Sequence, residues 1–143
     1  MEGTWVAPAR TLVESLDGGL PALWSLAYAA QRGTLLLAQQ VGTDLDLSLT
    51  LAAMDLGEAL EELEWAHPEL PAVSVALDLG SLPGQDRGSC ADAIGLLLAG
   101  GLEVAAQLLR DPWEDLDTAE VLRVARVVHL LTNGHVRVAG RMP

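Results

Sequence analysis

Glu64 and His67 stand three residues apart in the stretch EELEWAH, residues 61–67. This is the Glu-x-x-His spacing by which helical bundles present a carboxylate and an imidazole to a metal pair. Such centres need more: a second Glu-x-x-His and single glutamates from two further helices. The chain offers one pair, the segment 21–40 contains no acid, and Glu103 belongs to the polar side of its own segment. A site split across a symmetric dimer would still need a bridging acid from another helix, and Glu14 and Glu120, the candidates, are both poor ones. The expectation is therefore no metal and no cofactor, with His67 packing at a helix C-terminus, where an imidazole suits unpaired carbonyls.

Cys90 follows Ser89 in what reads as a first helical turn, where the helix dipole favours a thiolate. It also begins an apolar series, so a buried core thiol is expected rather than a nucleophile. No spacing brings His129 or His135 to it as a base, and no catalytic residue is assigned. Arg123, Arg126 and His129 form the one compact cationic group on a helix. They are the candidate ligand-binding residues, since guanidinium groups offer a planar fork of donors to an anion. Gly95, Gly100 and Gly101 lack the strand, Lys and Ser/Thr of a phosphate loop and point to close helix packing or a kink. Trp24 and Tyr28, one turn apart, are expected in a core or an interface.

Composition narrows the classes further. At 143 residues, half of them apolar, the chain suits one domain with a substantial core. All eight basic residues are Arg, which removes any Schiff-base lysine, pyridoxal anchor or P-loop lysine. The net charge of −12 opposes nucleic acid, whose binding relies on clustered cations. The unbroken weakly polar run 93–102 is about half of a membrane span. The acidic start MEGTW has no basic leader, and one cysteine cannot close an internal disulfide. A cytoplasmic protein is the resulting expectation, and the Ala, Leu, Gly and Arg bias is that of a GC-rich bacterial genome.

The elements that would position these residues read as helices. Pro8 suits a first turn before Leu12, Val13 and Leu16, and Asp17-Gly18-Gly19 ends that segment. Leu23, Ala27, Ala30, Thr34, Leu37 or Ala38, and Val41 then recur at helical spacing, with Ser25, Arg32 and Gln39 on the far side, which gives a helix from Pro21 to about Gln40 that Gly42 ends. TDLDLSLTL alternates like a strand, yet Leu45, Leu49, Ala52, Leu56, Leu60 and Leu63 continue in steps of four and three, and Thr43 with Asp46 resembles a capping box. One helix over 44–66 follows. PAVSVALDLG reads as a short helix with Pro71 in its first turn, the alternative being a strand paired with HVRV near the C-terminus.

After a loop at 80–88, Ser89 and Asp92 make a capping pair, and Cys90, Ile94, Leu97, Gly101, Ala105 and Leu108 share one face as far as Arg110. Asp117 and Glu120 repeat the capping box before Val121, Val124, Ala125, Val128 and Thr132, and Asn133-Gly134 supplies a stop. The fold class is thus all-α: a single-domain helical bundle over 1–134, with four main helices and one or two short ones, up-and-down in order. Residues 135–143 form a short basic tail.

These helices carry more apolar surface than one stripe each. Leu47, Leu51, Met54 and Trp65 fall on a second stripe opposite the main seam, and Val127 and Leu130 fall beside Arg123 and Arg126. Either helix 44–66 is central and buried on both sides, or the surplus is a subunit interface. Charge is uneven as well: residues 44–70 hold eight acids and no Arg, and 118–143 hold four Arg against Glu120. The reading that follows is a non-catalytic acidic interaction protein, an adaptor, chaperone-like or regulatory subunit. It would pair with itself as a homodimer, and with a basic protein through Glu58, Glu61, Glu62, Trp65 and Trp113. Two alternatives stand beside it: a small-molecule binder or small enzyme with an inter-helix pocket, and a structural subunit of a larger assembly.

Overall fold

The computed structural model describes residues 5–40, 47–80, 87–110 and 117–141. They form six helices: α1 Val6–Ser15, α2 Gly19–Gln40, α3 Leu47–Ala66, α4 Leu70–Val73, α5 Arg87–Arg110 and α6 Thr118–Arg141. No strand occurs among the described residues. The all-α expectation holds, and the alternating segment is helical from Leu47, while Thr43 and Asp46 lie outside the described residues.

Four helices close a ring in the order α2, α3, α6, α5, and α1 packs against α5. Their directions follow from residue pairs. Trp24 meets Glu64 and Gln31 meets Gly57, so α2 and α3 are antiparallel. Asp55 meets Arg137 and His67 meets Glu120, so α3 and α6 are antiparallel. Leu26 meets Gly100 and Ile94 meets Gly33, which sets α5 antiparallel to α2. It follows that α3 and α5 run the same way. The order departs from simple up-and-down, because the link from α3 to α5 must travel back along the bundle.

That return is made by α4 and an extended strap, residues 74–80. The backbone N–H of Val75 donates to Ser25 Oγ at 2.9 Å. Farther on, Leu79 lies beside Gly33, where an added Cβ would meet its Cδ1 at 3.3 Å. Eight residues of α2 separate these two points, about 12 Å at 1.5 Å per residue. The four steps from Val75 to Leu79 cover about 13 Å in extended chain. The strap therefore runs parallel to α2, one strap residue to about two residues of the helix. The helix expected over this segment is confined to 70–73, since a longer one would be too short to span that distance. Gly80 ends the described strap with φ +92°, a backbone region that favours glycine.

The core also departs from the expectation in two places. The helix surrounded on most sides is α2, not α3, because α2 meets α3, α4, α5 and the strap. Ser25, placed on the far polar side by spacing, is fully buried there. In α6, Val127 and Leu130 are buried, whereas Ala125 and Thr132 are exposed, so its core face is turned relative to the expected one. The helix also continues through Asn133-Gly134 to Arg141, and HVRV is helical. Gly134 is used for packing, not termination: a Cβ there would lie 3.0 Å from Leu56 Cδ2. Gly100 and Gly101 likewise sit close to Val13 and Leu131, the close helix packing their sequence suggests.

Among the described residues, α5 is the one helix long and apolar enough to cross a bilayer. Counting only the unbroken run 93–102 passes over it, because Glu103 interrupts the run without ending the helix. In this fold α1, α2 and α6 all pack against α5.

Candidate functional site

The residues singled out for binding converge on the outward side of the α3–α6 pair. Glu58, Glu61, Glu62, Trp65 and Arg123 line one shallow cleft of about 350 Å³. Trp113 lies outside the described residues. The acids of α3 and the arginines of α6, separated in sequence, face each other across the antiparallel contact. Glu62 accepts from Arg123 Nη1 at 3.1 Å and from Arg126 Nε at 3.0 Å. Arg126 Nη2 also donates to Glu58, and Arg137 Nε donates to Asp55 Oδ2 at 3.1 Å. The hydrogen bond to Glu62, with the negative charge of Glu58 added to it, raises the Arg126 guanidinium above its ordinary range.

This network changes what the charged residues can do. The cationic group Arg123 and Arg126 already holds its anions, supplied by the chain itself, and His129 Nε2 lies 3.3 Å from Asn133 Nδ2. Glu58 and Glu62 are likewise engaged. Glu61 forms no ion pair among the described residues and remains exposed.

Along the same face runs an apolar stripe. Leu47, Leu51, Met54, Glu58, Glu61 and Trp65 follow one another in steps of three and four, and so share one side of α3. Trp65 is 81% exposed, Leu47 66% and Met54 64%. On α6, Leu122 is 67% and Val136 64% exposed. The register fixed by Glu62–Arg123 and Asp55–Arg137 sets Leu122 near the level of Trp65, and Val136 near that of Leu51 and Met54. The face thus has apolar ends and an ion-paired middle. Spacing on α3 reveals its stripe, but the partners on α6 are legible only once the register is known.

The Glu64–His67 pair is split between two structural tasks. Glu64 Oε2 accepts the indole N–H of Trp24 at 2.8 Å. His67 Nε2 lies 2.5 Å from Glu120 Oε2, and its Nδ1 lies 3.5 Å from Glu69 Oε2. Glu120 in turn closes the capping box of α6: its N–H donates to Asp117 Oδ1 at 2.8 Å, and its Oε1 accepts from the Asp117 N–H at 3.3 Å. His67 therefore joins the end of α3 to the start of α6. No cluster of three or more metal-ligating side chains occurs among the described residues. Cys90 is buried with Ile94 and Leu97 in the core face of α5, and Trp24 stacks on Tyr28 with ring centroids 4.8 Å apart.

A second cavity, of about 540 Å³, lies between α1 and α6 over α5 and holds Arg10, Asp92 and His135. Sequence spacing alone points to none of the three as a site. The one signal is the four-residue spacing of the small residues Ala91, Gly95 and Ala99 beneath them. Compared with known proteins, the chain matches no family model, no curated protein and no solved structure.

Proposed function

We propose that this chain is a non-catalytic interaction protein that pairs with a second copy of itself through the outward face of α3 and α6. One observation carries the reading: five of the seven large apolar side chains exposed among the described residues lie on that face. At the exposures given above they present on the order of 500 Å² of apolar surface in all, divided between the two ends of the face, a sum comparable to a monomer's largest patch. A stable dimer buries roughly 800 Å² on each copy, of which about two thirds is apolar, so the two apolar ends together, with the ion-paired middle between them, are of the size a two-fold contact needs.

Electrostatics supports a second copy over a basic partner. Asp55, Glu58, Glu61 and Glu62 oppose Arg123, Arg126 and Arg137, leaving one net negative charge on the face out of −12 for the chain. Two strongly acidic copies repel each other least where their charge is already compensated. A basic ligand would have to displace the arginines from Glu58 and Glu62.

Sedimentation velocity over a hundred-fold concentration range tests this. The expected species has twice the 15.1 kDa chain mass, and Met54→Glu with Trp65→Glu should give a monomer of unchanged helicity. A wild-type chain that stays monomeric throughout would sink the proposal, even if it captured a basic protein through Glu61. Reversing Glu58 and Glu62 is not a clean test, because those carboxylates hold α6 to α3.

A further inference from the structure

We propose that the groove between α1 and α6 over α5 binds a small zwitterion with an apolar body, of which an apolar amino acid is the simplest. The inference is independent of the α3–α6 face. At about 540 Å³ the groove has the size of ordinary small-molecule sites, roughly 300–1,000 Å³.

Its floor is made by residues with little or no side chain. Ala91, Gly95 and Ala99 succeed one another at four-residue intervals and line the cavity from α5. His135 stands over this floor from α6: a Cβ added to Gly95 would lie 3.9 Å from its Nε2. Val6, Leu96 and Val138 supply apolar wall. The space above the floor thus suits a flat or branched apolar group more than a second polar one.

Charge at the groove then selects the ends of the ligand. Arg10 on α1 and Asp92 on α5 both line it, and neither forms an ion pair among the described residues. Of the other arginines whose side chains are described, Arg110, Arg123, Arg126 and Arg137 are paired with carboxylates, and Arg32, exposed on α2, is unpaired but lines no cavity with an acid. An arginine and an aspartate that share a cavity without joining complement a ligand bearing both charges. The guanidinium offers two parallel donors to a carboxylate, and Asp92 accepts from an ammonium. A simple anion would gain Arg10 and meet repulsion from Asp92, and a simple cation the reverse.

Isothermal titration calorimetry on the full chain tests this with L-phenylalanine as the probe. Its two one-charge analogues, 3-phenylpropionate and 2-phenylethylamine, serve as comparisons. L-Phenylalanine should bind one per chain, with both analogues weaker by about ten-fold or more. Arg10→Ala and Asp92→Asn should each weaken L-phenylalanine by a similar factor, and Asp92→Asn should bring 3-phenylpropionate level with it. Ala99→Leu, an exposed site that tolerates a longer side chain, should fill the groove and remove binding while the helical circular dichroism is kept. The proposal is overturned if L-phenylalanine does not bind, if either analogue binds the wild-type chain as tightly, or if folded Ala99→Leu binds unchanged.

Discussion

The indole N–H of Trp24 on α2 donates to Oε2 of Glu64 on α3 at 2.8 Å, so the carboxylate that resembles half of a metal ligand pair serves as the acceptor for a buried tryptophan. Trp24 is almost fully enclosed, and truncating Glu64 takes away the acceptor its N–H uses. Glu64→Ala should therefore cost about 1–3 kcal/mol in urea unfolding, the penalty of an orphaned buried donor. Glu64→Gln keeps an oxygen in reach and should cost less than half as much. Equal losses from the two variants would show that the hydrogen bond is not what Glu64 contributes.

Glu62 and Glu61 are neighbours in sequence with opposite fates, one gripping two arginines and the other facing solvent. Glu62→Arg should lower the thermal midpoint clearly, because it places a third cation between Arg123 and Arg126, while Glu61→Arg should leave the midpoint within error. The gap should shrink at 1 M salt, where screening acts over about 3 Å. Alkali is a poor probe of the same contact. The Arg126 pKa is raised in the fold, so its contribution is complete below the ordinary arginine range and is lost only as pH rises through the higher folded value. No titration of Arg126 should therefore appear in the stability profile between pH 6 and 9.

Helix existence was legible because Leu49, Ala52, Leu56, Leu60 and Leu63 recur at a period no strand could bury, and all five are buried. The Asp117–Glu120 capping box was legible too, since it depends on residues three apart and nothing distant. What spacing could not supply was the order of helices round the ring. The stop expected at Asn133-Gly134 failed because glycine is ambiguous in sequence: it permits a left-handed turn, and it equally permits the approach of Leu56. The short helix with Pro71 in its first turn is present at Leu70–Val73, but the extended strap after it is not legible, for a related reason. PAVSVALDLG gains its stability from α2, through Ser25 and Gly33, and carries no local periodicity that says so. The acidic run and the basic C-terminal segment were visible as opposites, but only the antiparallel register of α3 and α6 makes them partners within one chain.

Gly134 and Gly57 offer a paired test of that ambiguity. A methyl group at Gly57 would meet only Gln31 Nε2, at 3.7 Å, an ordinary contact with the end of a flexible side chain. Gly57→Ala should stabilise the chain by about 0.5–1 kcal/mol through helix propensity. At Gly134 the same methyl lies 3.0 Å from Leu56 Cδ2 and 3.3 Å from its Cγ. Leu56 is fully buried and cannot withdraw without displacing its own neighbours. Overpacking of this kind costs roughly 1–3 kcal/mol, which outweighs the propensity gain. Gly134→Ala should therefore unfold at lower urea, and a stabilised Gly134→Ala would mean that α3 and α6 are less tightly apposed than this packing implies.

Ser25 is a fully buried hydroxyl on the most enclosed helix, and its Oγ accepts the N–H of Val75 at the start of the strap. Ser25→Ala leaves that N–H without its acceptor and removes the polar anchor between the strap and α2 at this level. The global cost should be modest, about 1 kcal/mol, since most of the core is untouched. The local effect should be larger, because Val75 and Ala76 are exposed and depend on few other contacts. In Ser25→Ala the Val75 amide should lose hydrogen-exchange protection selectively, and cleavage within 74–80 by a nonspecific protease should quicken, while amides of α5 keep their rates. Val75 protection that survives the substitution would mean that Leu77 and Leu79, packed against the core, hold the strap without help from the hydroxyl.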